Sequence, residues 1–305
     1  MICSKIADID QKTSKPIIVT LTGTSEITGE GRKILVENGV PVYATSYKTM
    51  VAIKHLVDFS RYCKKDVEEQ KFETLPATHQ ADKRGTWTEV RVKEELSTLG
   101  IRVPKGTLIT DRSHLDEVKE QLAYPVVCKV ISNDVLHKTD AGGVKVNITN
   151  AAELVKAYDD ILTSVKQFAP NAHIEGILAE EMLQEDRVEL FIGVKDDPQF
   201  GALIVCGLGG IFIEVLKDVS IRKAPISEQE AHEMLKELKG YPLLEGVRCS
   251  KQRDIHQQTK ALVNVSQFAA KHNGKISEMD INPVWVFEDG NGIAALDGII
   301  IWKDE

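Results

Sequence analysis

A lysine inside an apolar run needs an anion close by unless its stem can reach water. Lys129 stands in such a run, Tyr-Pro-Val-Val-Cys-Lys-Val-Ile over 124–131. In isolation it reads as an edge-strand lysine. It is not isolated, because His137-Lys138-Thr139-Asp140-Ala141-Gly142-Gly143 follows within ten residues. A glycine pair between two strands lets the backbone approach a ligand closely, and flanking cations suit a polyphosphate. A solvated hairpin with turn glycines has the same pattern. Gly142 and Gly143 therefore carry weight only together with Lys129 and Lys138.

Further groups fall into acidic and glycine-rich sets. Glu180-Glu181-Met182 ends one apolar segment and Glu189 opens the next. Carboxylates at such a crossover can take a base amine or ribose hydroxyls, and ordinary surface acids fit equally well. Gly207-Leu208-Gly209-Gly210 lacks the Gly-x-Gly-x-x-Gly spacing of a dinucleotide loop. Arg222 downstream can reach an anion there or form a salt bridge. Asp280-Ile-Asn282-Pro and Asp297 sit on or beside neighbouring strands. Carboxylate and amide oxygens of this kind suit Mg²⁺, which takes few protein ligands and shares itself with phosphates; turn capping is the plainer reading. There is no Gly-x-x-x-x-Gly-Lys-Ser/Thr loop and no Gly-x-Ser-x-Gly elbow. Of the eight histidines only His137 falls in a motif.

The elements that must position these groups follow from periodicity. Residues 16–22 form a continuous apolar run, the mark of a strand covered on both faces. A helix with Ile27, Ile34 and Leu35 stops at Asn38-Gly39. Val40–Tyr43 is a second short strand, and 47–62 is helical again. A polar, aperiodic stretch over 63–85 reads as a linker. Thr86-x-x-Glu89 is expected to be a capping box opening a helix that ends at Gly100. Strands are expected at 124–131 and 144–148. A helix runs from Asn150-x-x-Glu153 to about Phe168. Strands follow at 176–181, 188–194 and 202–206. Ser227-x-x-Glu230 opens another helix, closed by Gly240-Tyr241-Pro242. A helix near 254–272 leads to strands at 276–281, 284–287 and 293–301, with Asp289-Gly290-Asn291-Gly292 as a hairpin turn. Hairpins alternating with helices predict an α/β (α+β) chain with mixed or antiparallel sheets.

Composition narrows the function classes. The 305 residues carry 38 Lys and Arg against 46 Asp and Glu, a net charge of −8. An acidic chain without basic clusters is a poor partner for nucleic acid. No stretch approaches the roughly 20 apolar residues that span a bilayer, so no membrane is expected. The N-terminus has neither an apolar core nor a cleavage-site pattern, which predicts a cytoplasmic chain. Cys3, Cys63, Cys128, Cys206 and Cys249 are scattered, which predicts reduced thiols and neither a disulfide frame nor a zinc site.

The order of the motifs is specific. Val-Val-Cys-Lys is followed by Leu-His-Lys-Thr-Asp-Ala-Gly-Gly-Val and Ala-Glu-Glu-Met. Then come Val-Glu-Leu-Phe-Ile-Gly-Val-Lys-Asp-Asp-Pro-Gln-Phe-Gly, Gly-Leu-Gly-Gly-Ile-Phe-Ile-Glu-Val-Leu-Lys-Asp-Val-Ser-Ile-Arg, Glu-Met-Asp-Ile-Asn-Pro-Val and Ala-Leu-Asp-Gly. The ensemble closely resembles the ATP-grasp portion of the NDP-forming (ADP-forming) acyl-CoA synthetases, relatives of succinyl-CoA synthetase. The resemblance implies an ATP-grasp domain of two subdomains over 86–305 and a linker over 67–85. Residues 1–66 resemble part of a flavodoxin-like ligase domain.

For the matching positions it implies roles. Lys129 and Lys138 contact ATP phosphates, with Gly142 and Gly143 in the same loop. Glu180, Glu181 and Met182 form the adenine hinge, largely through backbone groups, and Glu189 binds ribose or helps order the site. Gly209, Gly210 and Arg222 face the transferred phosphoryl group. Asn282 and Asp297 hold Mg²⁺ with Asp280 adjacent. His137 is a candidate phosphoryl acceptor.

The implied reaction is acid + CoA + ATP ⇌ acyl-CoA + ADP + phosphate, through an acyl phosphate and a phosphohistidine. Fused members are more than twice this length. The chain is therefore expected to be a β-type subunit or a fragment. Its partner would be a CoA-binding α-type chain carrying the swinging phosphohistidine, in a hetero-oligomer of the α2β2 kind. Another ATP-grasp carboxylate ligase, or a nucleotide-sensing subunit without catalysis, are the competing expectations.

Overall fold

The computed structural model describes residues 2–63, 85–135, 137–210, 218–247 and 251–303. The chain divides into two units, Met1–Lys71 and Phe72–Glu305. Apart from Gly85, the expected linker over 67–85 lies outside the described residues, as does Cys249. The four described cysteines are free thiols, and burial pushes Cys128 and Cys206 up to about 12.

The smaller unit runs α1 (Ile2–Asp10), β1 (Val19–Thr20), α2 (Ser25–Glu37), β2 (Val42–Tyr43) and α3 (Ser46–Cys63). The expected β-α-β-α order is present, with α1 as an unforeseen addition. Strands β1 and β2 pair in parallel, Val19 opposite Val42 and Thr20 opposite Tyr43. The apolar run at 16–22 yields only two strand residues because β2 offers only two partners. Gly31 lets α1 close on α2, since a Cβ there would lie 2.8 Å from Cys3 Sγ.

The larger unit holds two sheets. Its elements are β3 (Thr86–Trp87), α4 (Glu89–Thr98), β4 (Gly106–Ile109), α5 (Arg112–Val118), β5 (Val126–Ile131), β6 (Val144–Ile148), α6 (Ala151–Phe168), β7 (Gly176–Glu181), β8 (Val188–Asp197) and β9 (Gly201–Leu208). There follow β10 (Val219–Lys223), α7 (Glu228–Glu237), α8 (Tyr241–Glu245), α9 (Ile255–Lys271), β11 (Ile276–Val286), β12 (Ile293–Ala295) and β13 (Gly298–Trp302). A four-stranded sheet has the order β4-β7-β5-β6, and a seven-stranded sheet the order β10-β9-β8-β11-β13-β3 with β12 paired to β11. Their strand pairs are antiparallel throughout. Each sheet has its own core. Helix α6 lays Leu154, Tyr158, Ile161 and Val165 under the smaller sheet; α4, α7 and α9 cover the larger one.

Capping chemistry sets the helix starts. Asn150 accepts from Glu153 N at 3.0 Å. Asp254 accepts from Gln257 N with one oxygen and from Gly290 N and Gly292 N with the other, tying α9 to the β11–β12 turn. Ser227 and Glu230 form a complete capping box. Ser227→Ala should destabilise the protein by about 1 kcal/mol, lowering the midpoint of thermal unfolding by about 2–4 °C. An unchanged midpoint would show the box to be redundant.

Four expectations are corrected. Thr86 and Glu89 form no capping box. Trp87 packs against Trp302, with ring centroids 5.0 Å apart and planes tilted by 55°, and Thr86–Trp87 is extended and pairs with β13. The cap position passes to Thr88, whose side chain makes no cap bond. The two strands expected at 276–281 and 284–287 are one strand, β11, whose pairing with β8 shifts register across Asn282-Pro283. The strand expected over 293–301 is split by Leu296-Asp297. Strand β10 was not foreseen because its alternation is inverted: Val219 and Ile221 are exposed while Ser220 is buried.

Candidate functional site

The two sheets of the larger unit form the walls of a cleft of about 1010 Å³. Strands β5, β6 and β7 contribute Val127, Lys129, Val144, Val146, Glu180 and Glu181; β11 and β13 contribute Glu278, Asp280, Asn282, Trp285, Ile299 and Ile301. His137, Lys138, Thr139 and Asp140 line it from the β5–β6 loop, and Met182 and Leu183 from the end of β7.

A buried charge network lies along this cleft. Lys129 Nζ is 2.8 Å from Glu89 Oε1, 2.6 Å from Glu180 Oε1 and 2.7 Å from the Leu296 carbonyl oxygen. Lys138 Nζ pairs with Glu89 Oε2 and lies 2.9 and 3.0 Å from the two oxygens of Asp297. Lys93 Nζ lies 2.6 Å from Glu89 Oε1 and also pairs with Glu180. Burial opposes ionisation of Glu89, but Lys129, Lys93 and Lys138 outweigh it and hold the carboxyl far below its ordinary range. Burial likewise opposes the Lys129 and Lys138 ammonium groups. Glu89 with Glu180 and Asp297, and Glu89 with Asp297, reverse that and push both pKa values up.

The opposite wall is short of positive charge. Burial, with Glu278 and Asp297 nearby, raises Asp280 to about 6 despite a hydrogen bond from Asn282. Asp297 is also raised, by burial and by Glu89, against Lys138 and Lys129. Among the described residues no cluster of three or more His, Cys, Asp or Glu side chains can cage a metal by itself. Asp280, with no cation among the groups that shift its pKa, together with the Asn282 amide and Asp297, whose one ion-pair partner among the described residues is Lys138, is a donor set that fits Mg²⁺, which completes its shell with water and phosphate oxygens.

The structure therefore brings Lys129, His137, Lys138, Glu180, Glu181, Met182, Asp280, Asn282 and Asp297 to one cleft. Other residues singled out from the sequence lie elsewhere. Gly142 and Gly143 do not line it. A Cβ on Gly142 would lie 2.9 Å from Ser164 on α6, and one on Gly143 2.5 Å from Val130 on β5. They let the His137–Gly143 loop close onto its own sheet and helix. Glu189 pairs with Arg187 at 3.5 Å, and its carbonyl oxygen accepts from Gly209 N. Gly210 packs on its carboxylate. Arg222 pairs with Glu237 on α7 and does not line the cleft. The amides of Glu181 and Met182 already donate to Lys105 O and Pro125 O. They are engaged within the sheet and unavailable to a ligand.

Several groups in the cleft, and Lys93 behind it, escaped the sequence reading. Glu89 was assigned to a cap, and Lys93, one turn on, gave no signal beyond a helical charge. Arg187 stacks over Trp285 with its guanidinium 3.5 Å from the ring centroid, and both line the cleft. Thr139 and Asp140 lay inside a quoted motif but were given no role.

Comparison with known proteins agrees with this geometry. The sequence model of the ATP-grasp domain matches residues 78–301. The chain is 35% identical over 301 residues to the 4-hydroxybutyrate–CoA ligase (ADP-forming) of Nitrosopumilus maritimus, covering 96% of this chain and 43% of that protein. It is 40% identical to the beta subunit of acetate–CoA ligase (ADP-forming) II of Pyrococcus furiosus, covering 73% of this chain and 94% of that subunit. The solved acetyl-coenzyme A synthetase 1 of Ca. Korarchaeum cryptofilum, in complex with coenzyme A and Ca-AMPCP, superposes with a TM-score of 0.68 at 41% identity. That match covers 72% of this chain and 94% of that one. The chain spans about two fifths of the length of the longer ligases it matches, 43%, 40% and 42% in three of them. With its two-walled cleft and this sequence likeness, the chain belongs to the ATP-grasp family, in the branch of the ADP-forming acyl-CoA ligases and their beta subunits.

Proposed function

We propose that this chain is the nucleotide-binding part of an ADP-forming acyl-CoA synthetase, acting in acid + CoA + ATP ⇌ acyl-CoA + ADP + phosphate. The observation that carries the reading is the cleft itself. Two buried lysines on one wall face Asp280, Asn282 and Asp297 on the other. Lys129 and Lys138 bind the polyphosphate and neutralise charge that develops as the terminal phosphoryl group leaves, which is where phosphoryl transfer gains most of its rate. Asp280, Asn282 and Asp297 hold Mg²⁺, which supplies a further positive charge to the phosphate oxygens when bound. Glu180 and Met182 border the base end.

His137 is exposed at the cleft and serves as phosphoryl acceptor. A ring nitrogen lone pair forms the N–P bond while the bond from phosphorus to the ADP oxygen breaks, and ADP takes the electron pair. Arg222, Gly209 and Gly210 face the transferred group, and Glu189 binds ribose or helps order the site.

Residues 1–66 serve as a partial flavodoxin-like segment, 67–85 as a linker and 86–305 as the ATP-grasp domain. The partner is a CoA-binding α-type chain carrying a second acceptor histidine, in a cytoplasmic hetero-oligomer of the α2β2 kind. Support comes from the separate beta subunit among the relatives. The exposed Tyr47, Met50 and Phe59 of α3 give a partner apolar surface to cover. No helix among the described residues is long and apolar enough to cross a membrane.

The test is incubation of the purified chain with γ-labelled ATP and Mg²⁺. An acid-labile label, absent from His137→Ala, is expected. Label that persists in the variant removes His137 from this role. A chain that neither takes label nor binds nucleotide overturns the whole reading.

A further inference from the structure

Lys93 is the lysine of the network that the cleft never meets. Its side chain is 7% exposed and does not line the cavity, whereas Lys129 and Lys138, at 11% and 16%, do. Glu89, with 0% side-chain exposure, touches all three. One ammonium thus lies behind the carboxylate and two lie in front of it. For Lys129 and Lys138, Glu89 supplies what a phosphate would supply: anionic oxygens at hydrogen-bonding distance.

We propose that Glu89 is a built-in stand-in for the polyphosphate, and that Lys93 is the positioning residue that lets it give up its place. The proposal rests on the nucleotide reading above. Lys93, Lys129 and Lys138 balance Glu89, Glu180 and Asp297 in charge. An incoming triphosphate must take Lys129 and Lys138 away from Glu89. A buried carboxylate left without a partner is heavily penalised. Lys93 stays behind and keeps both Glu89 and Glu180 paired, so the exchange strands neither of them, while Asp297, which gives up Lys138, passes to the Mg²⁺ that arrives with the triphosphate. Without it, the triphosphate could bind only by leaving two carboxylates exposed to that penalty.

The two residues therefore act with opposite sign. Lys93→Gln weakens a non-hydrolysable ATP analogue with Mg²⁺ by about a hundredfold, because its binding now strands a buried anion. Glu89→Gln tightens the same analogue by about tenfold, because the lysines lose their internal competitor. The double variant returns towards wild type. Adenosine, which lacks phosphates, binds all four proteins alike. Calorimetric titration of the full chain with both ligands reads each value. If Glu89→Gln does not fold, Glu89→Asp carries the same sign, since its shorter arm withdraws the carboxylate from the cleft-facing lysines.

Opposite shifts confined to the triphosphate support the proposal. Weakening by both substitutions, or equal losses for adenosine, reduces Glu89 and Lys93 to structural residues and overturns it while nucleotide binding stands. A wild-type chain that binds neither ligand sinks this proposal and the nucleotide reading together.

Discussion

Lys129→Met should lose measurable nucleotide binding and unfold about 6–12 °C below the wild type. The ammonium satisfies Glu89, Glu180 and the Leu296 carbonyl oxygen together. Removing one partner of a buried pair costs about 3–5 kcal/mol. The lower end, about 3 kcal/mol, applies here, because Lys93 still reaches both carboxylates and Lys138 still reaches Glu89. Methionine fills nearly the same volume, so packing loss adds little. Thermal unfolding reads the first effect and titration with nucleotide the second. A variant that unfolds early yet binds nucleotide within a few-fold of wild type would make Lys129 a structural residue only.

The second large effect has the opposite sign for stability. Asp280→Asn should make the protein more stable at pH 8 while weakening Mg²⁺–nucleotide binding at least about tenfold. Burial, with Glu278 and Asp297, raises the Asp280 carboxyl from 3.8 to about 6. A raised carboxyl favours the folded state while it is protonated, so that contribution is present at low pH and lost as pH rises through about 6. Above that, the ionised group destabilises the fold by about 2–3 kcal/mol. Asparagine removes the charge, so the gain appears at pH 8 and vanishes near pH 4. Mg²⁺ with nucleotide should raise the wild-type unfolding midpoint and leave that of the variant nearly unmoved. A variant less stable than wild type at pH 8 would refute the account of this wall.

Most of the site was readable where its residues are neighbours in sequence. Lys129, His137 and Lys138 lie within one strand–loop stretch, and Asp280 and Asn282 lie two residues apart on β11. What periodicity could not show was which distant residue answers each charge. Lys129 meets Leu296 across 167 residues, and Lys138 meets Asp297 across 159. Glu89 looked like a capping residue because Thr86 stands three positions before it. That segment instead pairs with β13, with Trp87 packed against Trp302, and the helix starts at Glu89 itself. Lys93, at i+4 from Glu89, has the spacing of an exposed helix ion pair, and only burial against β5 and β7 makes it part of the network. Arg222 could be read either as an anion contact or as a salt-bridge partner; it lies on a strand the periodicity did not show, because Val219 and Ile221 face out, and it pairs with Glu237 on α7.

Calorimetric titration of the purified chain with ATP, with and without Mg²⁺ and with Lys138→Ala as control, tests the central claim most directly. The cleft predicts saturable binding of a single nucleotide per chain, weakened when Mg²⁺ is withheld and weakened further in the variant. Absence of binding to the wild-type chain at millimolar ATP with Mg²⁺, or equal binding by the variant, would contradict it.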